Sequence, residues 1–195
     1  SKKNKKFIRT ANQIKNSQSN YTSSFQNRDF RYYTSSKKLP DDNSKLDRAG
    51  AELSQGNPHQ AFEICRPILI ADPNNSVALN LAGVAAFQAG LPEEAIDLLE
   101  TALFYAPDYA EAHTNLGNIF AQLNRFEDAE ISYENAMQSD PNYSEAFFNF
   151  GSLMEINGNQ DKALIAFEKI PEWKKGLYKI SDECFEEITG TKLRK

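Results

Sequence analysis

Cysteine is nearly absent from these 195 residues: Cys65 and Cys184 stand far apart and form no pairing motif. A disulfide framework is therefore not expected, and a reducing compartment, with the cytoplasm as the expected location, suits that usage. Cys65 falls on an inward helix position and reads as a small buried hydrophobe. Histidine is equally scarce. His59 lies in an expected turn and His113 at a packing position, and neither has metal-ligating neighbours in sequence. The nine glycines recur singly instead of clustering, which argues against a phosphate-cradling loop. No stretch approaches the ~18 apolar residues of a membrane span, and the N-terminus lacks the apolar centre of a secretory signal. The numbering starts at Ser1 instead of methionine, as in a processed product or a fragment. Acid pairs such as Glu93-Glu94, Glu127-Asp128 and Glu186-Glu187 fall on helix faces expected to be wet. No nucleophile, base, cofactor or metal motif comes together, so neither catalysis nor a cofactor is expected.

What is present is unevenly distributed. Apolar residues make up 40% of the chain, enough for a packed core. The net charge of −5 conceals a division: residues 1–40 hold ten Lys or Arg against the single acid Asp29, a net +9. The remainder holds 12 basic and 26 acidic residues, a net −14. A cationic arm is joined to an anionic body.

The body, from Asp42 to about Ile170, is organised by one period. Pro73, Pro107 and Pro141 are 34 residues apart, as are Gly83, Gly117 and Gly151. Ala61, Ala95, Ala129 and Ala163 keep the same step, and a turn position reads Gly56, Gly90, Asn124, Gly158. Small residues at the glycine and alanine positions let two helices approach closely, and proline ends the second helix of each unit because it lacks an N–H. Positions in phase with these read Leu79, Ala82, Gly83, Ala86, Ala95, Leu99, Ala102 and Pro107 in one unit. In the next they read His113, Leu116, Gly117, Phe120, Ala129, Tyr133, Ala136 and Pro141.

These residues resemble the tetratricopeptide repeat (TPR) family, whose unit is a helix-turn-helix of that length. The resemblance implies an all-α, right-handed α-solenoid of about four repeats, at 42–75, 76–109, 110–143 and 144–170. The first repeat is irregular, with Ala49 where the others carry glycine. Pro171 arrives four residues early, so the array is expected to stop there. Leu177, Ile180, Cys184 and Ile188 recur at helical spacing, and residues 171–195 are expected to form a capping helix and tail.

In such arrays the first helix of each repeat lines a concave groove used for recognition. The expected peptide-binding groove comprises Asn80, Val84 and Phe87; Thr114, Asn115, Asn118 and Gln122; and Phe148, Asn149 and Ser152, with Leu81, Glu111 and Glu145 beside them. Asn115 and Asn149 occupy one position in successive repeats. A side-chain amide both donates and accepts, which suits a peptide backbone. This is similar to the asparagine ladder of the O-linked N-acetylglucosamine transferase array, although the second repeat departs from it with Leu81 and no transferase domain accompanies it. The clamp by which some TPR domains hold chaperone C-termini requires Lys or Arg on these helices. Glu111 with Asn115, and Glu145 with Asn149, stand there instead, so binding of an acidic chaperone tail is not expected. The resemblance implies a non-catalytic scaffold or adaptor with a protein or peptide partner.

The arm, residues 1–41, is rich in Ser, Asn, Gln and Lys and is expected to be mostly disordered. Within it, Arg28, Phe30, Arg31, Tyr32 and Tyr33 interleave aromatics with guanidinium groups suited to contact. Three further roles for the arm stay open. It could tether the protein to nucleic acid or an anionic membrane, fold back onto the groove, or reach a second copy to make a homodimer. A substrate-recruiting module of a larger transferase is the remaining alternative.

Overall fold

The structure, a computed structural model, describes residues 42–170. The arm, with Arg28, Phe30, Arg31, Tyr32 and Tyr33, and the capping segment 171–195 lie outside the described residues. Eight α-helices and no strand occur among the described residues, and the chain divides into two compact units between Pro107 and Asp108.

The first unit holds α1 (Asp42–Ser54), α2 (Pro58–Ala71), α3 (Ser76–Gln88) and α4 (Pro92–Tyr105). Successive helices pack on each other, and α1 also reaches α3. Pro58 and Pro92 open their helices where a missing N–H does no harm. The Asn75 side chain accepts from the Ala78 N–H at 3.0 Å and caps α3. His59, expected in a turn, belongs to the first turn of α2, because Pro58 starts that helix one residue earlier.

The second unit holds α5 (Ala110–Gln122), α6 (Phe126–Ser139), α7 (Ser144–Ile156) and α8 (Gln160–Glu168). It repeats the arrangement, with α5 reaching α7. The turn residues Gly56, Gly90 and Gly158 have φ of 77°, 82° and 73°, and Asn124 has 58°. Each hairpin turn therefore needs one left-handed residue, which glycine adopts freely and asparagine tolerates.

The glycine and central positions make a steric pair sixteen residues apart. A Cβ on Gly117 would sit 2.6 Å from the Tyr133 ring, and one on Gly151 would sit 2.5 Å from the Phe167 ring. Gly83 stands in the same relation to Leu99. In the first repeat the register holds Ala49 and Cys65, both fully buried. Where glycine is replaced by alanine, the partner position carries a smaller side chain.

Candidate functional site

On the first helix of each repeat, residues four, seven and eleven positions on from an exposed start share one stripe. On α3 that stripe is Val77, Leu81, Val84 and Gln88; Val77 and Gln88 are exposed, and Leu81 and Val84 are half-buried. On α5 it is Glu111, Asn115, Asn118 and Gln122, and on α7 Glu145, Asn149, Ser152 and Ile156. Neither α5 nor α7 contains a lysine or arginine.

Three expected groove residues sit one position before the middle of the stripe. Asn80 and Thr114 are completely buried, and the Thr114 Oγ1 donates to the Ala110 carbonyl at 3.0 Å. Their counterpart Phe148 is half-buried, its ring 6.0 Å from that of Phe167. This corrects the groove assignment of Asn80 and Thr114. A step of one residue turns a helix by about 100°, which carries these side chains out of the stripe and into the interior. Phe87 is half-buried and likewise off the α3 stripe.

In the second unit the stripe residues are linked across helices. The Asn118 Oδ1 accepts the Tyr133 hydroxyl at 2.8 Å and an N–H of Asn149 at 2.9 Å. Tyr133 lies on α6, Asn118 on α5 and Asn149 on α7, so three helices meet at one carbonyl oxygen. Burial, and next the Glu145 carboxylate, push the Tyr133 phenol well above its ordinary pKa, keeping it a protonated donor.

At the start of the same stripe, the Tyr143 hydroxyl donates to Glu145 at 3.0 Å and the Tyr109 hydroxyl to Glu111 at 3.4 Å. Burial raises the Tyr143 pKa, and Glu145, Glu111 and Tyr109 add to it in that order. The two phenol–carboxylate pairs thus share one electrostatic neighbourhood. Tyr109 and Tyr143 were not among the residues the sequence singled out, and Tyr133 was read only as a packing residue. Tyr109-x-Glu111 and Tyr143-x-Glu145 do recur in phase, and that repetition was the available signal.

Among the described residues of the second unit, two cations are engaged away from this stripe. Arg125 pairs with Asp128 at 2.7 Å and lies 4.3 Å from the centre of the Phe120 ring. Lys162 pairs with Glu130 at 2.6 Å. Among the described residues no group of His, Cys, Asp or Glu is arranged to hold a metal ion, and no helix is long and apolar enough to cross a membrane.

Two Tetratricopeptide repeat family models match, one at residues 46–103 and 80–144 and the other at 132–165. The chain belongs to the tetratricopeptide-repeat family. TPR folds are typical of protein–protein interaction scaffolds, and no catalytic domain appears among the described residues. Among solved structures, MamA is 26% identical, with a TM-score of 0.58 over 72% of this chain and 80% of that one. PilF of Pseudomonas aeruginosa is 23% identical with a TM-score of 0.64, over 75% of this chain and 65% of that one. An O-GlcNAc transferase mutant from Thermobaculum terrenum is 23% identical, with a TM-score of 0.60. That match covers 68% of this TPR chain and 27% of the transferase. The latter two show likeness of fold alone. No curated protein sequence matches.

Proposed function

We propose that this chain is a scaffold that holds an extended protein segment on the α5–α7 face, with Asn115, Asn149, Asn118, Gln122 and Ser152 as the polar contacts. The observation that supports this reading is the Asn118–Asn149 bond, which joins side-chain amides of two successive repeats from α5 to α7. Paired amides at a repeating interval suit a peptide main chain, whose donors and acceptors also repeat. Val84, on the α3 stripe, is a candidate apolar contact of the first unit. The face carries carboxylates where a carboxylate clamp needs cations, so an acidic chaperone tail is a poor ligand.

The test is capture of partners from native lysate by the full chain and by its Asn115→Ala/Asn149→Ala variant, with thermal melts of both. Loss of a partner at unchanged melting temperature supports the reading. Retention of every partner refutes it.

The +9 arm favours a second reading, an electrostatic tether to nucleic acid or an anionic membrane. Binding to duplex DNA would then weaken with salt at a log–log slope of about −0.9 per phosphate neutralised. Capture that is insensitive to salt and to removal of residues 1–40 refutes that reading.

A further inference from the structure

One stripe residue of each first helix is matched, fifteen residues later, by a residue of the second helix: Gly50 with Cys65, Val84 with Leu99, Asn118 with Tyr133 and Ser152 with Phe167. In the third repeat alone the first is an amide and the second bears a hydroxyl. Where the hydroxyl is missing, as at Leu99 and Phe167, the amide is missing too. The two groups therefore occur together, and they bond at 2.8 Å.

That bond decides which way the Asn118 amide points. A phenol has one proton, and among the described residues its partner is the Asn118 Oδ1. Turning the amide over would set the Asn118 Nδ2 against both the phenol and Asn149, stranding the phenol proton on a residue that is 3% exposed. The ring cannot step aside, because it packs on Gly117, where a Cβ would lie only 2.6 Å from it. With the Tyr133 O–H and an Asn149 N–H both donating to it, the Asn118 Oδ1 has used its two lone pairs. Asn118 then has only amide N–H groups to offer a ligand, whereas Asn149 keeps its Oδ1 and one N–H.

A donor of this kind takes a carbonyl or a carboxylate oxygen. The Glu145 carboxylate, whose field reaches Tyr133, repels an anion. A neutral carbonyl remains, and a peptide main chain offers one per residue. We infer that Tyr133 is the positioning residue of the α5–α7 face: its hydroxyl holds Asn118 as a donor, so the face takes a neutral main-chain carbonyl there and refuses an N–H. This rests on the peptide-binding reading above and adds the residue that sets its hydrogen-bond order.

The probe is a dodecapeptide selected on the full-length chain from a random display library, released by Asn115→Ala/Asn149→Ala, and titrated by fluorescence anisotropy. Asn118→Asp leaves an oxygen for both internal donors, so the melting temperature should hold. It removes the N–H groups that face the peptide, and affinity should fall at least about tenfold. Tyr133→Phe keeps the ring and frees the amide to turn, which should weaken binding about fivefold. A scan of single thioamides, whose sulfur is a weaker acceptor than oxygen, separates positioning from a merely structural role. In wild type one thioamide, at the carbonyl that meets Asn118, should weaken binding severalfold, and in Tyr133→Phe that sensitivity should vanish. Peptide binding should also shift the Asn118 side-chain amide protons downfield in NMR spectra of the wild-type chain.

Equal or tighter binding by Asn118→Asp overturns the inference, because the peptide then supplies a donor at that point. A collapse of the Asn118→Asp melting temperature also overturns it, since the internal bonds would then have needed an Asn118 N–H. So does a Tyr133→Phe chain that keeps the thioamide sensitivity of wild type. If any of these occurs while Asn115→Ala/Asn149→Ala still releases the peptide, the peptide-binding reading stands without Tyr133. If the library yields no peptide that those asparagine changes release, the peptide-binding reading itself falls and takes the inference with it.

Discussion

Replacing Gly151 by alanine tests the packing logic of the repeat most directly, because two effects of opposite sign meet at one atom. Alanine favours the helix over glycine by about 1 kcal/mol. The new Cβ, however, would lie 2.5, 2.7 and 2.9 Å from three carbons of the Phe167 ring. Phe167 is 1% exposed and has nowhere to swing, so α7 and α8 must separate or the ring must leave its rotamer. Overfilling a packed site costs about 1–3 kcal/mol, and three contacts this short place the cost near the upper end. The net expectation is a loss of about 2 kcal/mol, a fall in melting temperature of roughly 4–8 °C for a chain of this size. Urea and thermal denaturation followed by circular dichroism would measure it. The decisive comparison repeats the change in a Phe167→Cys background, which copies the Ala49 and Cys65 pair of the first repeat. There the clash is gone, and Gly151→Ala should be neutral or stabilising by up to about 1 kcal/mol. The same penalty in both backgrounds, or none in either, would refute the steric account.

Gly90 isolates the other role of glycine. Nothing lies within 4 Å of its hypothetical Cβ and its φ is 82°, so Gly90→Ala should cost about 1–2 kcal/mol from backbone strain alone. Gly90→Asn should cost less, since Asn124 already occupies the equivalent turn; chemical denaturation would rank the two variants. Asn75→Ala, which removes the cap on Ala78, should cost about 1 kcal/mol in the same assay. Burial pushes the Cys65 thiol up to about 12 from 9.0. The folded state therefore keeps a proton that the unfolded chain releases above pH 9, so the Cys65 contribution is intact below 9 and is lost as pH rises toward 12. That loss approaches about 1.4 kcal/mol per pH unit within the window. Denaturation midpoints between pH 8 and 10.5 should fall less steeply for Cys65→Ala than for wild type. In a Cys184→Ser background, a thiol reagent at pH 8 should modify Cys65 only on unfolding.

The helices, their order and the turn residues were legible in the chain itself. The 34-residue step of Pro, Gly and Ala marks where helices end, cross and reverse, and each of those events is governed by a few residues adjacent in sequence. The left-handed turn at Asn124 could be read from its phase with three glycines. The compensation of Ala49 by Cys65 was visible as a departure from pattern, but it acquired a meaning only once the Gly151–Phe167 and Gly117–Tyr133 approaches gave the register a distance.

The candidate site was less legible. Asn80 and Thr114 are polar residues on the right helices, yet they are buried, because facing depends on helix rotation against neighbours and a one-residue step changes it by about 100°. The relay from Tyr133 through Asn118 to Asn149 spans separations of 15 and 31 residues on three helices. No local pattern specifies such a meeting. By itself, the sequence determined that the chain is a TPR protein with an anionic body and a cationic arm, since periodicity and charge are properties of the linear order. Only the tertiary structure decided which face of α5 and α7 joins its amides, because hydrogen bonds and carboxylate fields depend on distance in space, and packing sets that distance.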